Sequence, residues 1–195
     1  QNVCAHTPNP LEFLKGVKQS LLPNGTAYIQ TSQSQMYQRN EFDTTYHEHI
    51  SFFSANSMKT LAERAGLVLT DIHITPIHGD SYVFILKHPG AEVMDSVQNT
   101  IDKEAKEYRH DIGFYQMFGN NANTILNNLK DLVDRCKKQG TPVVGYGAAA
   151  KGMTVLNAKN IQLDWIVDDN ELKKNLFTPG SNIPIKGRNS LDIDE

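Results

Sequence analysis

The chain has 195 residues, 39% of them hydrophobic and 21% charged, with a formal net charge of −3, a size that allows one large domain or two small ones. That charge gives no electrostatic basis for binding nucleic acid, which calls for a clustered basic surface, and no apolar run is long enough to span a bilayer. Two cysteines, Cys4 and Cys136, fit a reducing, cytoplasmic setting better than a disulfide framework.

The chain starts at Gln1 without a Met or a signal peptide and ends at Glu195 where a helix is about to begin, so a piece cut from a longer protein is expected. Thr7-Pro8-Asn9-Pro10 opens a helix on which Leu11, Leu14, Val17, Lys18 and Leu21 keep helical spacing until Pro23-Asn24-Gly25. A short strand is expected over 26–30. Ser54 is placed to cap a helix carrying Met58, Leu61, Ala62 and Ala65 and closed by Gly66. Strands over 67–74 and 81–87 follow, separated by Pro76 and His78-Gly79-Asp80.

From Ala91 to Gln139 the periodicity predicts two long amphipathic helices, interrupted near Phe118-Gly119-Asn120. Val93, Val97, Ile101 and Ala105 share a face of the first; Ile125, Leu129, Leu132, Val133 and Cys136 share a face of the second. After Gly140 the pattern changes to strand, glycine turn and helix, with a strand over 141–144, a turn at Gly145-Tyr146-Gly147-Ala148-Ala149-Ala150-Lys151-Gly152, and a second strand over 163–167 ending at Asp168. This is the layout of a Rossmann-like βαβ unit, in which glycines let phosphates approach the backbone at a helix amino end. An acid about twenty residues later usually meets a ribose hydroxyl, and Asp168 falls there. The pattern is imperfect, because Lys151 and Gly152 shift the place of a third glycine.

The densest chemistry lies at Phe42 to Phe53, where Tyr46, His47, Glu48 and His49 put four proton-handling side chains in consecutive positions between apolar residues. Histidine titrates near neutrality, and a neighbouring carboxylate can fix its tautomer, which is how a general base is built. A solvated polar loop is the plain alternative. A metal site is a third reading, with His47 and His49 on one side of a strand, but too few further ligands lie nearby in sequence.

Phe42 through Ser54 closely resembles the hallmark of the deoxysugar C-methyltransferases, S-adenosylmethionine-dependent enzymes that methylate a carbon of a nucleotide-linked ketosugar. Three further segments agree in colinear order: Asn2 to Pro10 resembles the stretch after the fourth strand of their methyltransferase domain, Gly145 to Thr154 the glycine turn of their C-terminal domain, and Asp168-Asp169-Asn170, Lys173 and Pro179 to Ile185 the segment after its second strand. The sequence departs from the family where His78-Gly79-Asp80-Ser81-Tyr82-Val83 stands for a usual His-Gly-Gly-Ser, apolar residue and Arg, and where Asn175 and Leu176 stand for Gly and Arg. The family's zinc-binding domain and its cofactor-holding glycine turn are not in this sequence.

The resemblance implies an α/β chain: the back half of a class I methyltransferase (Rossmann-like) lobe over 1–89, a helical connector over 90–139, and the start of a second Rossmann-like, substrate-binding lobe over 140–195. It further implies His49 as the base that removes a proton beside the sugar ketone, Tyr46 and Glu48 as groups that orient it or bind the sugar, and His6 as a donor to the enolate oxygen. Asn2 would touch the cofactor in the intact enzyme, while no S-adenosylmethionine binding is expected of these residues alone. Gly145, Tyr146, Gly147, Lys151 and Asp168 would hold the nucleotide-sugar, with Lys151 as a mobile counter-charge. A homo-oligomer is expected from unpaired strand edges. Alternatives are a non-catalytic nucleotide-sugar binding module, or a methyltransferase acting on oxygen or nitrogen.

Overall fold

The structure, a computed structural model, describes residues 1–32, 35–77, 79–107 and 109–191. His78, the first residue of the 78–83 segment, lies outside the described residues. Two compact units divide the chain, Gln1–Phe118 and Gly119–Glu195.

The first unit is built on an antiparallel sheet of β1 (Ala27–Thr31), β2 (Val68–Thr75) and β3 (Ser81–Lys87), in the order β1-β3-β2. Its register sets Ile29, Phe84 and Ile72 side by side across the three strands. Residues two apart on a strand share a face, so Phe84 and its neighbours Tyr82 and Leu86 are buried together. Helix α1 (Pro10–Ser20) starts where Asn9 accepts from the Glu12 N–H and Pro10 fills the first turn. Helix α2 (Ala55–Ala65) starts at a reciprocal Ser54–Ser57 cap and ends at Gly66, whose φ of 77° is left-handed. Leu14 of α1 and Met58 and Ala62 of α2 are fully buried in one core with Phe84 and Leu86. Helix α3 (Asp95–Lys106) adds Val97 to that core.

The expected break at Phe118-Gly119-Asn120 is absent. Helix α4 (Ile112–Lys138) runs through it for 27 residues, and the helical stretch is interrupted between Lys106 and Ile112 instead. A single interior glycine costs only about 1 kcal/mol, and nothing crowds Gly119. The observed boundary has two supports: the Asp111 carboxylate accepts from the Gly113 N–H at 2.7 Å, and Arg109 is drawn into a buried position.

In the second unit β4 (Val144–Tyr146), β5 (Trp165–Val167) and β6 (Ile185–Lys186) form a parallel sheet in that order, with helix α5 (Ala150–Ala158) connecting β4 to β5. The first strand begins later than the apolar run suggested, because Val143 gives its N–H to the Asp164 carboxylate at 2.7 Å rather than to a neighbouring strand. Leu156, Ile161, Ile166, Val167, Ile183 and Ile185 are buried in this unit. Among the described residues no helix is long and apolar enough to cross a membrane.

Candidate active site

Tyr46 to His49 is a tight turn, closed by the His49 N–H donating to the Tyr46 carbonyl at 3.0 Å. A turn of this kind brings its first and fourth residues together and throws the middle two outward. Tyr46 and His49 accordingly pack ring against ring with centroids 4.4 Å apart, while His47 and Glu48 are exposed at the tip, their side chains 3.9 Å from each other. A strand would have set His47 on the same side as His49; the turn separates them. Glu48, expected beside His49, is placed next to His47.

The ring of His49 is held at both nitrogens. Nδ1 lies 2.7 Å from the Thr44 carbonyl oxygen, and Nε2 lies 3.3 Å from the Tyr46 hydroxyl. A carbonyl can only accept, so Nδ1 carries a hydrogen, and in the neutral ring Nε2 keeps its lone pair. Thr44 itself ends a short 3₁₀ turn over Phe42–Thr44 and is buried, which gives the acceptor a fixed position. Burial, and next the charge of Glu48, push the Tyr46 hydroxyl above its ordinary pKa, so it stays a neutral donor.

His6 joins from a second segment. Cys4–His6 form a 3₁₀ turn whose buried Cys4 and Ala5 anchor it, and the Ala5 carbonyl accepts from the N–H groups of both Ile50 and Ser51 at 2.9 and 3.1 Å. That pair of hydrogen bonds brings the His6 ring centroid to 4.8 Å from that of His49 and 6.4 Å from that of Tyr46. Burial pushes the Cys4 thiol up to about 11, so it serves as a small apolar anchor rather than a nucleophile. Asn2, with φ of 51°, donates its N–H to the Gln30 carbonyl at the end of β1. Among the described residues, the side-chain atoms Asn2 Oδ1, Gln30 Nε2, Thr31 Oγ1 and Thr44 Oγ1 are buried without a hydrogen-bond partner.

In the second unit the glycine turn divides into two roles. Gly145 lies within β4, and a Cβ there would meet Leu163 Cδ1 at 2.9 Å and Ile166 Cγ1 at 3.1 Å, so its smallness serves strand packing. Gly147 has φ of 89°, a Cβ there would meet nothing within 4 Å, and its N–H donates to the Val167 carbonyl at 2.7 Å. Tyr146 is exposed and donates to Asp169 at 2.7 Å. Lys151 sits in the first turn of α5, half-buried. The Asp168 carboxylate accepts from the Ala148 N–H at 2.8 Å, the Asn170 N–H at 2.9 Å and Lys173 Nζ at 2.9 Å, and Lys173 also reaches the Ala148 carbonyl at 2.9 Å. The Lys173 ammonium foremost, then the backbone donors, hold Asp168 below the usual carboxylate range. Asp168 thus fastens the turn to β5, a use of this acid that the ribose expectation did not contain.

Residues 76–195 match the family profile described as the C-methyltransferase C-terminal domain, and residues 1–72 match a methyltransferase domain. The chain belongs to the C-methyltransferase family. It is 32% identical over 187 residues to the C-methyltransferase NovU of Streptomyces niveus, an alignment that covers 93% of this chain and 44% of that relative. The chain thus spans under half the length of the curated relative it matches. The junction between the two family matches falls inside one sheet, since β3 lies between β1 and β2.

Where the sequence departs from the family's glycine pair, Asp80 adopts φ of 71° and its carboxylate pairs with Arg39 at 2.6 Å. The Asp80 carboxylate thereby ties the loop to the segment that leads into the histidine turn. Sequence reasoning missed a further cluster in the same unit. Glu104 and Arg109 are 4% and 6% exposed; the Glu104 carboxylate takes the Ala55 N–H at 2.9 Å and the Tyr82 hydroxyl at 3.0 Å, and Arg109 lies 3.4 Å away. Tyr37 packs edge-on against Phe114, Tyr115 and Phe118, with the Arg109 guanidinium 5.7 Å over its ring. The pattern available in sequence was a charged residue on the buried side of an amphipathic helix, because Glu104 follows Ile101 by three.

Proposed function

We propose that this chain carries the proton-abstraction centre and part of the substrate-binding region of an S-adenosylmethionine-dependent C-methyltransferase acting beside the ketone of a nucleotide-linked sugar. The observation that carries this reading is the tautomer of His49. With Nδ1–H committed to Thr44, the Nε2 lone pair is the basic site, and the Tyr46 hydroxyl at 3.3 Å is a loose enough neighbour to give way to a substrate C–H. Carbon is a poor nucleophile until it loses a proton, so a positioned base is what methylation at carbon needs and methylation at oxygen or nitrogen does not.

In this mechanism His49 Nε2 takes the proton from the carbon beside the ketone, and the electron pair of that C–H bond moves onto the ketone oxygen as an enolate. His6, packed beside His49, donates a hydrogen bond to that oxygen. Tyr46 keeps the His49 ring in its plane and binds a sugar hydroxyl. S-adenosylmethionine supplies, when bound, an electrophilic methyl on sulfonium. Of the residues present, Asn2 fits a contact to it, since its buried Oδ1 has no partner and can accept from an amine or hydroxyl. Residues 140–195 hold the nucleotide portion, with Gly147 facing the diphosphate and Lys151 supplying charge.

The test is hydrogen exchange at the reacting carbon in an active enzyme that carries this chain. Incubation of the ketosugar nucleotide in deuterated water without the methyl donor should wash deuterium into the position beside the ketone, and His49→Asn should abolish the exchange. Exchange that persists at the normal rate in the folded His49→Asn enzyme would show that the base lies elsewhere.

A further inference from the structure

Helix α4 carries an apolar seam that neither the core nor the proposed site uses. Ala122, Ile125, Leu129, Leu132 and Cys136 recur at spacings of three and four, the pattern of a coiled-coil seam. Ile125 and Leu132 are 43% and 49% exposed, while Leu126 and Val133, one position further round the helix, are buried. Among the described residues no other helix or strand packs along α4 beyond isolated contacts. A helix of 27 residues draws most of its stability from packing an apolar face, and half of that face here is bare.

The distribution of charge indicates what covers it. Gly119 to Leu129 contains no charged residue, whereas Lys130 to Lys138 holds Lys130, Asp131, Asp134, Arg135, Lys137 and Lys138. Two such helices side by side in the same direction would crowd both sets of Arg135, Lys137 and Lys138 at one end. In opposite directions each charged half lies along a neutral half, and the helix dipoles oppose. The seam is also self-complementary under a two-fold axis, as a contact between identical chains requires. A three-four seam leaves two leucines, Leu129 and Leu132, to face each other near that axis.

We propose that α4 joins two copies of this chain as an antiparallel pair, Leu129 of each copy packing on Leu132 of the other and Ile125 on Cys136. This surface differs from the strand edges first expected to drive association. The pairing holds irrespective of the reaction catalysed.

Sedimentation equilibrium of the 195-residue chain over a range of concentrations should show a monomer–dimer equilibrium. Leu132→Glu, at a half-exposed position where folding tolerates a charge, should leave the protein monomeric at concentrations where the parent is dimeric. Orientation is read separately by Ile125→Cys. Mild oxidation should give a dimer in which the introduced thiol is linked to Cys136 of the second copy, because the two positions stand about three turns apart on one helix and cannot bridge internally. A parent that stays monomeric, a Leu132→Glu protein that dimerises as well as the parent, or a Cys136–Cys136 link in the Ile125→Cys protein would each overturn the proposal.

Discussion

His49 directs Nδ1 at the Thr44 carbonyl from 2.7 Å, across the six residues from Thr44 to His49, which contain the end of the 3₁₀ turn and the whole of the tight turn. The bond does two things at once, fixing which nitrogen is basic and fixing the plane of the ring. Replacing His49 by Asn keeps a donor near Thr44 but removes the base, so methyl transfer should fall by about 10²–10⁴-fold. Tyr46→Phe removes the 3.3 Å hydrogen bond to His49 and the proposed one to a sugar hydroxyl, which together should cost about 2 kcal/mol, or about thirtyfold. Methyl-transfer rates for the two variants, with circular dichroism to confirm folding, check the ranking; Tyr46→Phe falling as far as His49→Asn would make the phenol part of the chemistry.

Much of the architecture could be read before the structure, because its boundaries are made by local chemistry. Asn9-Pro10, Ser54 and Gly66 mark helix ends through their own caps and backbone preferences, and they stand where expected. The α3–α4 boundary was misplaced because it depends on the burial of Arg109, which packs over the Tyr37 ring far upstream in the chain. At the site, the four-residue cluster was conspicuous, but its geometry was not. Whether Tyr46 to His49 is strand or turn decides whether His47 or Tyr46 accompanies His49, and the turn is held by Ala5, far upstream of Ile50 in the chain. The roles within the glycine turn were equally hidden, since only packing against Leu163 and Ile166 separates Gly145 from Gly147.

Burial raises the Glu104 pKa, against the lowering effect of the Ala55 N–H, Tyr82 and Arg109. The folded protein therefore binds more protons than the unfolded one between the ordinary glutamate value of about 4.3 and the raised folded value, and stability contributed by this group falls as pH rises through that window. Glu104→Gln should remove this slope, so the parent should lose ground to the variant with rising pH. Glu104→Ala should instead cost about 3 kcal/mol at neutral pH, the low end for breaking a buried pair, because Arg109 retains Glu107 at 2.7 Å. Denaturant unfolding across the acidic range to neutrality reads both; a parent-to-Gln difference independent of pH would refute the assignment of the slope to Glu104.

Asp168 shows the opposite sign. Lys173 and two backbone donors lower its pKa, so its contribution to the second unit is fully present above the ordinary aspartate value of about 3.9 and is lost as pH falls through the lower folded value. The carboxylate is what fastens Ala148 to β5, so Asp168→Asn should loosen the turn at neutral pH as acid does in the parent. Amide hydrogen exchange should speed up at Ala148 and Asn170 in the variant, with little change in the first unit. Unchanged exchange at both amides would mean that the turn is held without the carboxylate.

Gly145 has a packing role, and Gly147, two residues on, has the proposed ligand role. A methyl at Gly145 would press on Leu163 at 2.9 Å and Ile166 at 3.1 Å, so Gly145→Ala should destabilise the second unit by about 1–3 kcal/mol through overpacking. A methyl at Gly147 would meet nothing, but a φ of 89° strains any residue with a Cβ, and Gly147→Ala should cost about 1–2 kcal/mol through the backbone alone. The two substitutions then have similar effects on stability and different effects on ligand. If the diphosphate of the substrate approaches the open face of the turn, Gly147→Ala should weaken binding of a nucleoside diphosphate at temperatures where the variant is fully folded, while Gly145→Ala should bind it as the parent does. Calorimetric titration of both variants, alongside thermal unfolding, decides the matter. Equal affinity in Gly147→Ala and the parent would remove the glycine turn from the substrate site and leave it a structural turn fastened by Asp168.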